Sequence, residues 1–233
     1  MRFVTTVWAL LLLAAAPAEA ATVGSRPVVV ELFTAQGCAA CPDANRLVDG
    51  FADRKDVIAL TYSVDYWDYL GWSDSFARPE FTARQRAYQR TLKLREISTP
   101  EWVVGGRAET LGAESAQVDD LIKDAATKPR GPSVRLLWGG SHVRVDAGRV
   151  PPGGAEVWLV RYDPSEQDVR IRTGENKGKT VPHRNVVRQL ERLGGWTGRM
   201  RTYDVPAAEV KGLKTLVMVQ GAKGGAILST AGD

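Results

Sequence analysis

Residues 30–42 read Val30-Glu31-Leu32-Phe33-Thr34-Ala35-Gln36-Gly37-Cys38-Ala39-Ala40-Cys41-Pro42, and the fold turns on this stretch. Together with Pro27-Val28-Val29, its start is a β-branched apolar run of the length of a buried parallel strand. Thr34 to Gly37 turns the chain. A helix is expected from about Ala39, with Ala44, Leu47, Val48 and Phe51 at helical spacing on one face. Val57 to Val64 is the next strand. The unit is β-α-β, and its right-handed crossover makes the two strands parallel neighbours.

The order strand, turn, cysteine pair, helix carries the chemistry. It sets Cys38 at a helix N-terminus, where unpaired N–H groups and the macrodipole favour an anion. Thiolate is the attacking form of cysteine, and this placement lowers a thiol pKa. Cys41, one turn on and more buried, suits a resolving thiol. Pro42 is tolerated in the first helical turn, where its missing donor has no partner to lose. These are the only two cysteines in the chain. A bridge between neighbours so close closes a small ring and removes little entropy from the unfolded state. Reactivity explains the pair better than stability does, and both redox and metal chemistry remain open.

Outward from the pair, Tyr66 to Phe76 is a loop dense in aromatic residues. Trp67 and Tyr69 are expected to pack between the two halves of the chain, and Trp72 and Tyr66 to line a substrate groove. Pro79 opens a helix running to about Leu94, on which Arg84 and Arg86 are expected to be solvated or paired with Asp65, Asp68 and Asp74. Glu101 to Val104 and Arg107 to Leu111 form a hairpin about Gly105-Gly106. Glu114 to Ala126 is a helix.

Lys128-Pro129-Arg130-Gly131-Pro132 reads as a linker, and beyond it the apolar period changes to two. Strands are expected at 133–138, 142–146, 156–162, 168–172, 185–193, 199–205 and 215–219, with a turn at Gly174-Glu175-Asn176-Lys177-Gly178. So many short strands predict an all-β domain, a sandwich or barrel, over 132–233, after an α/β domain over 21–127. The net charge of +4 sits mainly on the second half and reads as solvated strand faces. No basic block interleaved with aromatics suggests nucleic acid.

Residues 1–20 read as a signal peptide: Met1-Arg2, an apolar run from Val7 to Ala16, and Ala18-Glu19-Ala20 as the cleavage site. No other apolar run reaches the roughly 18 residues of a membrane helix. The expected product is a periplasmic or secreted monomer with no membrane span.

At Cys38, Cys41 and Thr99-Pro100 the chain resembles the thioredoxin superfamily over about residues 27–126. The strand-turn-CxxC-helix segment, the Thr-Pro and the hairpin followed by a helix come in that family's order. The resemblance implies a cis bond at Pro100 facing the cysteines, with Thr99 offering backbone groups to an extended client strand. It also implies that Glu31 takes the place of a buried proton-relaying carboxylate, if one residue is inserted in the turn. An ordinary strand-edge glutamate is the alternative. More narrowly, Val30 to Cys38, Val64 to Trp72, Phe81 to Tyr88 and Gly174-Glu175-Asn176 resemble a bacterial family of secreted thioredoxin-like proteins of unknown function. Gly37 stands where thioredoxins have Trp, and Ala39-Ala40 where they have Gly-Pro. Side chains between the cysteines therefore add nothing to thiolate stability, and the pair is not expected to be a strong oxidant.

The expected activity is thiol–disulfide exchange with protein clients and a redox partner, needing no cofactor. A cysteine hydrolase needs a nearby imidazole, and the first half has no histidine. The competing reading is Cu(I) handling by Cys38 and Cys41, with His183 completing the site if the halves face each other.

Overall fold

A computed structural model describes residues 27–232. The expected signal peptide and its cleavage after Ala20 lie outside the described residues.

The first half builds the predicted unit. Strand β1 (Val28–Thr34) leads through a turn into helix α1 (Cys41–Ala52), and β2 (Val57–Ser63) returns parallel to β1, Val28 beside Val57 and Thr34 beside Ser63. Helix α1 starts two residues later than the periodicity suggests. Asp43 lies in its first turn, the favourable end of the dipole for a carboxylate. Helix α2 (Pro79–Leu92) is followed by β3 (Glu101–Val104) and β4 (Ala108–Leu111). Gly105 and Gly106 turn that hairpin at φ 60° and 61°, a conformation costly for any residue with a Cβ. Helix α3 (Ser115–Ala126) completes the half.

The second half supplies β5 (Val134–Leu137), β6 (His142–Val145), β7 (Ala155–Asp163), β8 (Gln167–Arg170) and β9 (Thr180–His183). Then come β10 (Val186–Trp196), β11 (Arg201–Asp204), β12 (Lys214–Gly221) and β13 (Ile227–Gly232). These strands form no barrel. Four of them extend the sheet of the first half, giving eight strands in the order β13-β12-β7-β10-β2-β1-β3-β4. β5, β6 and β11 form a separate three-stranded sheet, and β8 pairs with β9 alone. Strands β9 and β13 were not expected from the sequence. β9 contains Pro182 and β13 runs Ile227-Leu228-Ser229-Thr230-Ala231-Gly232, so neither alternates cleanly.

Each face of the large sheet buries its own cluster. On one face Val30, Leu32, Ala59 and Trp102 pack with Ala44, Val48 and Phe51 of α1 and with Val118 and Ile122 of α3. Farther along that face, Val157, Leu159, Val217 and Val219 pack with Val143, Val145 and Tyr203 of the small sheet. The opposite face carries Val29, Phe33, Leu60, Tyr62, Val160 and Met218 with Phe81 and Tyr88 of α2. Side chains of this size contribute roughly 1.5–3 kcal/mol each when fully buried.

The sheet curls around α2. Arg84 on that helix reaches Glu31 of β1 and Gln220 of β12, which lie four strands apart in the sheet. The Ile227 amide also donates to the Gly105 carbonyl at 2.8 Å, joining the turn of the β3–β4 hairpin to β13. Among the described residues no helix is long and apolar enough to cross a membrane.

Candidate functional site around Cys38 and Cys41

Cys38 and Cys41 form a disulfide. Cys41 is the first residue of α1, while Cys38 lies in the turn before it, its carbonyl accepting from the Cys41 amide at 3.2 Å. Both residues belong to the cluster on the α2 face, and Cys38 is only 1% exposed. The expected exposed nucleophile is thus covered as the protein stands.

Thr99-Pro100 is cis. The Thr99 carbonyl oxygen lies 3.6 Å from the Cys38 sulfur, and the Thr99 hydroxyl accepts from the Trp67 indole N–H at 2.8 Å. The cis bond implied by the resemblance is therefore present, and the residue before Pro100 lies beside Cys38. Pro100 is buried ahead of β3, whose antiparallel pairing with β1 brings it there.

The turn before Cys38 is held from three directions. Gln36 is fully buried, and its backbone amide donates to Asp74 Oδ2 at 2.8 Å. Its side-chain oxygen accepts from the Trp72 indole at 2.8 Å, and its side-chain nitrogen donates to Ser75 Oγ at 3.1 Å. Burial pushes the Asp74 carboxyl up to about 6, against the opposing effect of the Gln36 and Phe76 amides. From the second half, Asn176 donates its side-chain N–H groups to the Gln36 carbonyl at 2.9 Å and the Cys38 carbonyl at 2.7 Å. Lys179 donates to the Asn176 side-chain oxygen at 3.0 Å.

Trp72 accordingly sits beside the cysteine turn, and Tyr66 packs against the core that contains the pair. Burial raises the Tyr66 hydroxyl to about 12. Trp67 packs against that same core, but Tyr69, expected to pack with it, is 80% exposed. The loop meets the second half through Thr173 Oγ1, which donates to the Gly71 carbonyl at 2.5 Å, and through Phe76. The Phe76 ring lies edge-on to His183 and 4.3 Å below the Arg188 guanidinium.

Two other expectations need correction. Arg84 neither faces solvent nor pairs with the loop aspartates: its Nε donates to Glu31 Oε1 at 2.6 Å, and its other nitrogens reach Gln220 and Tyr88. Glu31, fully buried, also accepts from the Tyr88 hydroxyl. It is therefore no strand-edge glutamate, and what it contacts is Arg84 and Tyr88. His183, read as a third Cu(I) ligand, is 2% exposed, and burial lowers it to about 4. Its Nδ1 lies 3.0 Å from the Val181 carbonyl oxygen. No three His, Cys, Asp or Glu side chains among the described residues group as a metal site, so His183 does not join the cysteines.

From the sequence, Gln36 and Asn176 carry no role at the cysteines, and Asp74 is read as a partner of the α2 arginines rather than of the Gln36 amide. Nothing local signals them, because Asn176 acts on a turn 138 residues earlier.

The crystal structure of protein AGR_C_4864 from Agrobacterium tumefaciens is similar to this chain. Identity is 33%, with 88% of this chain and 92% of that one covered and a TM-score of 0.69. HBP35 of Porphyromonas gingivalis shares the fold at 14% identity, with 90% and 75% covered and a TM-score of 0.60. No curated protein matches the chain. Residues 29–220 match the family described as protein of unknown function (DUF1223), and the chain belongs to that family.

Proposed function

We propose that this protein is an exported thiol–disulfide oxidoreductase, thioredoxin-like in its first half, that acts through Cys38 and Cys41 on protein clients in the periplasm or outside the cell. One observation carries the reading: the Cys38–Cys41 disulfide lies between β1 and α1, with the Thr99 carbonyl at 3.6 Å from Cys38. A bridge spanning three residues contributes little to stability, so its use is chemical.

In the exchange a client thiolate attacks the Cys38 sulfur. The S–S bond breaks and its electron pair leaves on Cys41 as thiolate. A second client thiolate attacks the client sulfur of the mixed disulfide, which releases an oxidised client and leaves both cysteines reduced. The reverse sequence transfers a client's disulfide onto the pair. The Thr99 carbonyl offers an acceptor to an extended client backbone, and Trp72 and Tyr66 flank the approach.

The two cysteines have unequal roles in this cycle, which makes it testable. Cys41→Ser, expressed with its leader in a bacterial host, accumulates mixed disulfides on Cys38 that run as slow bands on a non-reducing gel. Cys38→Ser accumulates none. Identical behaviour of the two variants, combined with tight Cu(I) binding by the unmodified protein, removes the exchange reading in favour of copper handling.

A further inference from the structure

The segment from Arg172 to Thr180 is exposed throughout except at one residue, Asn176, which is fully buried. Gly174 and Gly178 bracket it at φ 76° and 80°, and turn hydrogen bonds from Lys177 to Gly174 and from Lys179 to Asn176 close it. The segment lies far along the chain from the cysteines and belongs to the other half. Its buried amide nevertheless ends on the two carbonyls that bracket Gly37, those of Gln36 and Cys38. The remaining polar atom of that amide, its oxygen, is taken by Lys179. A side chain with every polar atom engaged, alone in an exposed loop, is built to hold that loop down rather than to fill a core.

We propose that Asn176 is a latch, and that the 172–180 segment is a strap which must lift before Cys38 can react. The proposal rests on the exchange reading above and adds the element that regulates it. With the strap in place Cys38 is 1% exposed, whereas nucleophilic exchange requires a sulfur to approach the S–S bond along its axis. Reaction therefore proceeds from an opened state, and its rate follows the opening equilibrium. Asn176 is a positioning residue, since it touches the backbone of Cys38 and not its sulfur. The strap's other described anchor to the first half is the Thr173 hydroxyl on the Gly71 carbonyl. Lys179, exposed, tightens the latch by fixing the amide from its oxygen side.

The test is the second-order rate constant for reduction of the purified oxidised protein by dithiothreitol, followed by alkylation of the released thiols. Asn176→Asp keeps the shape of the side chain and removes both donors, placing a carboxylate against two carbonyl oxygens. It is expected to speed reduction about tenfold or more, the value of two hydrogen bonds lost from the closed state. Lys179→Met, a surface change that leaves the core intact, is expected to speed it by about two- to threefold. Val143→Ala, in the core beneath the small sheet, lowers the unfolding midpoint without changing the rate. The latch is overturned if Asn176→Asp reduces at the unmodified rate, or if Val143→Ala accelerates reduction as much as Asn176→Asp does. Failure of Cys41→Ser to trap clients removes the exchange reading instead. Trapping that succeeds while Asn176→Asp leaves the rate unchanged removes the latch alone.

Discussion

Glu31 and Glu101 are both charged residues inside apolar strands, and the fold treats them differently. Glu31 meets the guanidinium of Arg84 and stays ion-paired. Glu101, 1% exposed, has only the Gln85 amide on one oxygen and nothing on the other. Burial raises its carboxyl to about 7, with Glu109 adding to the rise. In the unfolded chain the same group titrates near 4.5. Between these values the folded protein holds a proton that the unfolded chain has lost, so stability falls as pH rises through the window and levels off above it. The cost at pH 8 is about 3 kcal/mol. Glu101→Gln carries no charge to desolvate, so it is expected to be more stable than the unmodified protein at pH 8 and similar to it at pH 4.5. Urea unfolding at the two pH values measures this. Equal differences at both would contradict it. Neither behaviour is legible in the letters, because what separates the two residues is whether a cation arrives from another element.

Helix α2 shows how a correct helix can carry a wrong face. Phe81, Arg84, Gln85 and Tyr88 recur at helical spacing, and all four are buried. The pattern was visible in the sequence, but a charged residue in it reads as solvated, since arginine is seldom fully buried without a partner. The partner comes from β1, and Gln220 and Tyr88 complete the set. Removing Arg84 leaves the Glu31 carboxylate buried without its cation. Arg84→Ala should therefore cost about 3–5 kcal/mol in urea unfolding, whereas Arg86→Ala, on the exposed face of the same helix, should change stability by less than about 0.5 kcal/mol. A small loss from Arg84→Ala would mean that Glu31 finds protons or water on its own. The aromatic loop teaches the same lesson. Its composition announces packing, yet Trp67 is drawn onto the core while Tyr69, two residues later, points into solvent.

Across the whole molecule, the seam between the halves is β2 against β10. It is a single parallel pairing, Thr61 beside Val186, reinforced by side chains: Thr61 Oγ1 donates to the Arg184 carbonyl and Asn185 Nδ2 to the Ala59 carbonyl. Asn185 adopts φ 52°, a conformation asparagine tolerates better than most residues. With Arg84 bridging β1 and β12, and Ile227 bonded to Gly105, the linker at Lys128 to Pro132 is not the main tie between the halves. Tryptic cleavage after Arg130 is expected to leave the two fragments associated in size-exclusion chromatography under native conditions. Fragments that elute separately would show independent domains and free the Tyr66 to Phe76 loop for a site role. The sequence by itself determined what is local: the β-α-β unit, the cysteine pair ahead of a helix, the glycine hairpin, and the change of period after residue 132. Those features follow from side-chain periodicity and backbone preference within about a dozen residues, so they are written in order along the chain. Only the tertiary structure decided that the second half extends the first half's sheet, that Arg84 lies inside the fold, and that Asn176 seals the turn at Cys38. Each of these depends on groups brought together from distant parts of the chain, and such meetings are selected by the free energy of the packed whole rather than by any local preference.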